Sequence, residues 1–281
     1  MLMVKCELIR DHFQNARRYN IPPADCIIAD VPYNLGNFFY ASRPEWWSGG
    51  AVENGASDKA GKAAFKTDYS FNIADFFAFA SRLLKPEPKK GEKGAPCMIV
   101  FCAFQQLGVV ISEAEKHGFK HYISLVFVKP SSPQVLKANM KVVGATEYAL
   151  ILYRDKLPKF RNEDENGVHR MIKNWFEWKK DGREIPRIHP AQKPVNLLRQ
   201  LKSIFTDPGD VVIDPCAGSG STLRAARELG RNSYGFEIDR DFYTKAKEQM
   251  LGTMPEHSST TTPLRVRENR SREWLPITAN T

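Results

Sequence analysis

A doubly wound α/β fold, with a mainly parallel sheet covered by helices on both faces, is what this sequence predicts, and three observations predict it. Short apolar runs rich in β-branched and aromatic residues alternate with stretches of helical periodicity. Capping residues stand where those helical stretches begin and end. With 281 residues and 42% hydrophobic content, the chain has enough apolar matter to bury a full core.

The strand-like runs are CIIA (26–29), CMIVFCAF (97–104), YISLVFV (122–128), TEYALILY (146–153), DVVID (210–214) and NSYGFEI (232–238). Between them, helical spacing of apolar residues marks 72–84, 107–118, 194–205, 221–230 and 240–251. Gly118 and Gly230 stand just past helix ends, Pro194 suits a first helical position, and Asp239 or Asp241 can cap the last helix. Strands alternating with helices favour parallel pairing, because each crossover helix returns the chain to the same edge.

A single domain over residues 1–251 is expected, and three segments do not fit its core. Residues 37–70 form a long inserted loop rich in Gly, Ser, Ala, Lys and aromatics, including Trp46 and Trp47. Residues 154–188 lack periodicity and mix basic residues with Trp175, Phe176 and Trp178. Residues 252–281 read as a polar tail.

No apolar run is long enough to span a bilayer and the N-terminus has no signal-peptide pattern, so a soluble cytoplasmic protein is expected. The five cysteines form no CxxC pair, and no partner of His189 stands at ligand spacing, so neither disulfides nor a metal site is expected. A net charge of +9 favours a polyanionic partner, although many basic proteins bind no nucleic acid.

Two turns carry the chemistry. DVVID leads through PCAGSG into a helix, and a small-residue turn at a helix N-terminus lets the backbone approach a ligand closely. No lysine follows Gly220, so this is not a nucleotide-triphosphate loop, and Leu223 stands where a dinucleotide fold wants its third glycine. Glu237 ends the next strand, where it can accept hydrogen bonds from ribose hydroxyls or be an ordinary surface acid. An adenosine cofactor with an amino-acid tail suits the set, with Asp214 and the 216–220 turn taking the zwitterion. That description fits S-adenosyl-L-methionine. The other turn is ADVPYNLG (29–36), where a surface turn is the plain alternative.

DPCAGSGST (214–222), HPAQKP (189–194) and DVPY (30–33) together resemble the motifs of amino-group DNA methyltransferases, which methylate N6 of adenine or N4 of cytosine. Their order, catalytic motif first, is similar to the permuted β group of that family, and the resemblance covers most of residues 20–251. It implies that Asp30 and the Val31 carbonyl accept the hydrogens of the target amine, that Pro32 stiffens the turn and that Tyr33 stacks on the base. It also implies cofactor contacts from Asp214, Cys216, Ala217, Gly218, Ser219, Gly220, Thr222 and Glu237, with His189, Gln192 and Lys193 near the methionine end. The target base is expected to be flipped out of double-stranded DNA. Asp rather than Ser at position 30 favours adenine within the family, with cytosine N4 as the nearest variant.

Val31 departs from the family, where proline is usual. It leaves open a non-catalytic nucleic-acid binder on the same fold, and an RNA methyltransferase is a further alternative. Lys129, Lys137 and Lys141, between two strand-like runs, and Trp175 and Trp178 in the expected recognition segment 154–188 are the candidate DNA contacts, against a plain solvated face. A homodimer is left open, as is a bacterial or phage setting.

Overall fold

Apolar side chains that alternate along each strand need cover on two faces, and the protein supplies it. The computed structural model describes residues 4–33, 71–92, 94–130, 135–137, 140–163, 166–189 and 191–252, with 135–137 as backbone alone. The strands are β1 (Cys6–Ile9), β2 (Cys26–Asp30), β3 (Cys97–Cys102), β4 (His121–Val128), β5 (Val135–Lys137), β6 (Val142–Val143), β7 (Thr146–Tyr153), β8 (Trp175–Glu177), β9 (Val211–Asp214) and β10 (Asn232–Phe236). The α-helices are α1 (Ile73–Leu83), α2 (Leu107–Lys116), α3 (Val195–Phe205), α4 (Ser221–Glu228) and α5 (Arg240–Lys245).

Eight strands form one sheet in the order β1-β10-β9-β2-β3-β7-β4-β8. All pairings in it are parallel except the two made by β7. A hairpin joins β4 to β7, its base closed by Lys129 N–H donating to the Ala145 carbonyl at 2.7 Å, so β7 must run against the rest.

Strand β3 is buried along its whole length, and its side chains divide between two cores. Met98, Val100 and Cys102 pack with Phe76, Phe77 and Ala80 of α1 and Val110 of α2. Cys97, Ile99 and Phe101 pack on the opposite face with Leu197, Leu198, Leu201 and Phe205 of α3 and with Ala225 and Ala226 of α4. Each of the larger side chains contributes about 1.5–3 kcal/mol by leaving water.

Helix starts follow from local chemistry. The Asn72 side chain accepts the N–H groups of Ala74 and Asp75, and Asp239 accepts those of Asp241 and Phe242. Pro194 sits at the cap of α3 rather than inside its first turn, and the Asp181 carboxylate takes the N–H groups of Val195 and Asn196 at 2.8 and 3.1 Å. After α5 the chain widens into a π-helical turn over Ala246–Leu251, so the predicted 240–251 helix is two pieces.

Five elements go beyond the sequence reading: β1, the 3-10 turns Phe13–Arg18 and Phe104–Gln106, the β5–β6 hairpin and β8. The 154–163 stretch of segment 154–188 is clipped to the N-terminal end of the sheet. There Lys159 meets Asp210 at 2.6 Å, Asp207 at 3.4 Å and Asp25 at 3.6 Å, and Arg161 grips Asp207 through two nitrogens. Among the described residues no helix is long and apolar enough to cross a membrane. Expectations for 37–70, 253–281 and the Lys137 side chain fall outside the described residues.

From β9 the chain winds outward to β10, and from β2 it winds the other way to β3, so the winding reverses between β9 and β2. Ligands of open α/β sheets bind in the crevice at the carboxyl ends of such strands.

Gly235 of β10 lies under α4: a Cβ there would stand 2.7 Å from Leu223 Cδ1 and 3.0 Å from Ala217 Cβ. Gly235→Ala is therefore expected to cost about 1–3 kcal/mol by overpacking, read from urea unfolding at unchanged slope. A loss below about 0.5 kcal/mol would mean that α4 and the turn before it shift freely.

Candidate active site

Asp30 is the last residue of β2, and the chain after it is held by its backbone. The Val31 N–H donates to the Phe101 carbonyl at 3.1 Å, one more rung of the β2–β3 ladder. Proline at that position has no N–H to give, so Val31 replaces ring stiffness with a hydrogen bond. The Gln106 side chain donates to the Pro32 carbonyl at 3.0 Å and accepts from Ala103 N–H at 2.9 Å, tying the turn to the start of α2.

Asp30 Oδ2 lies 2.6 Å from the Lys193 ammonium. Asp30 Oδ1 is buried and has no hydrogen-bond partner among the described residues, and the same holds for the Tyr33 hydroxyl. Lys193 is buried to 8% exposure, with Glu147 Oε2 3.2 Å away on its other side. That second contact is electrostatic, outside hydrogen-bonding alignment. Glu147 also pairs with Lys129 through Oε1. The rings of Phe101, Tyr33 and Trp178 surround the Lys193 ammonium at 5.3, 5.7 and 5.8 Å.

The charges answer to this packing. Burial pushes the Asp30 carboxyl up, against the pull of Lys193. Burial would lower Lys193, but Asp30, Tyr33 and Glu147 outweigh it and hold the ammonium above its ordinary range. Burial would raise Glu147, yet Lys193 and Lys129 keep it ionised below its usual value. Burial drives the Tyr33 hydroxyl well above its usual range.

The second turn stands at the end of β9. Asp214 is 4% exposed and accepts from Cys216 N–H at 2.9 Å, so its carboxylate shapes the turn. Burial lifts it to about 6, while hydrogen bonds from Thr222 and Cys216 favour the charged form. Gly218 (φ +49°) and Gly220 (φ +77°) occupy left-handed conformations that suit glycine. Ala217 N–H donates to Phe236 O, and Ser219 and Ser221 hydroxyls share a hydrogen at 2.8 Å. Glu237, at the end of β10, accepts from Gly218 N–H at 2.8 Å and from Asp239 N–H at 2.7 Å, and burial lifts its carboxyl to about 7.

His189 closes one side of this turn. A Cβ on Gly218 would come 3.9 Å from its ring, which packs edge-on against Phe242 at 4.3 Å. Burial, with Lys193 nearby, lowers the imidazole to about 4, so it is neutral. Gln192 spends both ends of its amide on backbone, accepting from Ile188 N–H and donating to Pro186 O. It buttresses the 186–192 loop.

The expected DNA contacts fall into two sets. Lys129 is bound to Glu147 and lies 4.8 Å over the Trp178 ring, which places both beside the carboxylate cluster. Trp175 is 46% exposed on edge strand β8, with Lys173 5.4 Å over its ring, and Lys141 is exposed on the β4–β7 connection. Sequence reasoning missed Glu147 and Gln106. The one signal for Glu147 was an acid at the head of a strand that is otherwise apolar.

A sheet whose winding reverses between a glycine turn and an acid-bearing turn defines a methyltransferase-type α/β fold. The chain belongs to the N6/N4 DNA methylase family, whose sequence model, described as DNA methylase, matches residues 24–248. It is 31% identical over 169 residues to the type II methyltransferase M.MjaI of Methanocaldococcus jannaschii, covering 54% of this chain and 56% of that protein. The chain thus spans little more than half of that relative. The type II methyltransferase M2.DpnII of Streptococcus pneumoniae is 25% identical over 258 residues, covering 85% and 87%. Among solved structures, M1.HpyAVI superposes with a TM-score of 0.58 at 21% identity, covering 86% of this chain and 97% of its own. PvuII DNA methyltransferase (cytosine-N4-specific) gives 0.59 at 15% identity, covering 88% and 87%. At these identities the likeness is one of fold.

The Glu237 carboxyl, raised in the folded state, contributes stability that is complete below its ordinary value near 4.5 and is lost as pH rises through about 7. Glu237→Gln is expected to gain stability relative to the unsubstituted protein on going from about pH 5 to about pH 8, measured by urea unfolding without ligand. A constant difference across that window would place the Glu237 carboxyl in ordinary solvent.

Proposed function

We propose that this protein is a site-specific DNA methyltransferase that moves a methyl group from S-adenosyl-L-methionine to the exocyclic N6 amine of adenine, in a base turned out of the duplex. The observation that carries the reading is Asp30 Oδ1, a buried acceptor without a partner among the described residues, at the strand end next to the glycine turn. A buried carboxylate oxygen left without a donor is costly, and an amine hydrogen would satisfy it.

The residues of the second turn fit the cofactor. Gly218, left-handed, bears no side chain where the turn faces the His189 ring, Gly220 packs against Ala246 and Leu251, and Glu237 is an acceptor at the end of the next strand. When bound, S-adenosyl-L-methionine supplies an electrophilic methyl on its sulfonium. Glu237 accepts from the ribose hydroxyls, and the 216–220 backbone with Ser219 and Thr222 holds the amino-acid end, shaped from beneath by Asp214. His189, neutral and packed on Phe242, covers the turn.

Adenine's amine is a poor nucleophile because its lone pair is drawn into the ring. Asp30 Oδ1 accepts one of its hydrogens and the Val31 carbonyl the other, which favours a tetrahedral nitrogen. Tyr33 stacks on the base. The methylated nitrogen sheds one proton, and Asp30 is the nearest acceptor. Cytosine N4 offers the same amine to the same acceptors, and the PvuII enzyme, cytosine-N4-specific, shares the fold. Trp175 with Lys173, together with the exposed Lys141 of the β4–β7 connection, supplies phosphate and base contacts on a chain of charge +9.

The test is transfer of tritium from labelled S-adenosyl-L-methionine to unmethylated DNA, followed by digestion to nucleosides. Label in N6-methyl-2′-deoxyadenosine is expected; label in N4-methyl-2′-deoxycytidine would change the base and keep the chemistry. Asp30→Ala is expected to lower transfer by at least roughly 10²–10³-fold while cofactor binding persists, and Gly218→Val to abolish binding. A fully active Asp30→Ala protein would overturn the assignment.

A further inference from the structure

We propose that Lys193 and Glu147 are positioning residues for the transfer: they hold the Asp30 carboxylate by Oδ2 so that Oδ1 is presented to the target amine. The proposal rests on the functional reading above and adds to it two residues that never need to touch the base.

A carboxylate turns about a broad torsion, so an unheld Asp30 would spread its two oxygens over many orientations. Here Oδ2 is fixed at 2.6 Å from the Lys193 ammonium, and Oδ1 is the oxygen of Asp30 left without a hydrogen-bond partner among the described residues. Lys193 is itself immobilised, by Glu147 at 3.2 Å and by the rings of Phe101, Tyr33 and Trp178. The orientation of Asp30 is therefore set before a base arrives, which removes that ordering cost from the reaction.

Glu147 has a second effect. Asp30 and Glu147 carry two negative charges, and Lys193 and Lys129 carry two positive ones, so the cluster is neutral. Methyl transfer moves positive charge from the sulfonium to the base nitrogen. Without the Glu147 charge, two lysines would face one carboxylate, and the surplus positive charge would weaken Asp30 as an acceptor at the moment the nitrogen becomes cationic.

Lys193 was expected, from the motif in which it lies, to serve the cofactor, and that alternative makes different predictions. As a cofactor ligand, its loss would weaken cofactor binding and leave the titration of Asp30 unchanged. As a positioning residue, its loss moves the titration of Asp30 and spares binding. The groups that act on Asp30 or feel its charge are Lys193, Glu147 and Lys129, with Asp214, Tyr33 and Cys102.

The experiment uses full-length protein carrying 13C-labelled aspartate carboxyls, with the Asp30 resonance identified by its loss in Asp30→Asn. Lys193→Met is expected to move the Asp30 titration to higher pH and Glu147→Gln to lower pH. Methyl transfer in Lys193→Met is expected to fall roughly 10²-fold with cofactor affinity unchanged, and Lys193→Arg to recover part of it. Should Lys193→Met fail to fold, Lys129→Met takes its place, with a smaller shift to higher pH opposite in sign to that of Glu147→Gln.

An Asp30 titration unmoved by these changes in an active protein would overturn the inference alone, as would loss of cofactor binding in Lys193→Met. Absence of transfer to adenine or cytosine by the unsubstituted protein would overturn the functional reading, and the positioning role with it.

Discussion

The parallel pairing of β2 with β9, with Cys26 opposite Val212 and Ile27 opposite Ile213, sets the relation between every residue of the site. A one-residue slip would exchange the faces of β2, sending Cys26 and Ile28 into the core now filled by Ile27 and Ala29. Because both faces are filled, the register is fixed, and so is the distance between Asp30 and the glycine turn. Precision at the site comes from the core beneath it.

Two ionic clusters lie at opposite ends of the same strands and have different work. At the amino end, Asp25, Asp207 and Asp210 receive Lys85, Lys159 and Arg161, and every carboxylate oxygen engaged there meets a cation or an N–H. That cluster clamps the 154–163 stretch under the sheet. At the carboxyl end, Lys193 and Lys129 pair with Asp30 Oδ2 and Glu147 Oε1, Glu147 Oε2 has only its electrostatic contact with Lys193, and Asp30 Oδ1 has no hydrogen-bond partner among the described residues. The first cluster is complete without a ligand; the second is complete only with a donor from outside.

The main strands were legible as apolar runs, continuous where β2, β3 and β9 are buried on both faces and rich in β-branched or aromatic residues in β4 and the antiparallel β7, and each was placed to within a residue or two. β1 and β8 were not. CELI is four residues at the sheet edge with Glu7 in its middle, and Trp175–Glu177 becomes a strand only by pairing with Val126–Val128. Asp30, Asp214 and Glu237 could be read because each ends an apolar run beside a turn. The partnership of Lys193 with Asp30 could not, since the two are 163 residues apart and neither segment hints at the other. Gln192, polar and within the motif, resembled a ligand group, but its amide is consumed by two local backbone contacts.

The order of the strands also bears on how the chain becomes a protein. On a ribosome β2 and β3 emerge early, and β2 waits with an unpaired edge for β9, whose Val211 N–H meets the Asp25 carboxylate across 186 residues of intervening chain. β1 waits as well, for β10. The middle of the sheet is thus the last part to close, and the first half of the nascent chain presents a bare, apolar strand edge for most of its synthesis. Such an edge invites pairing with other chains, so crowded translation is the stage at which this fold is most exposed to misassembly.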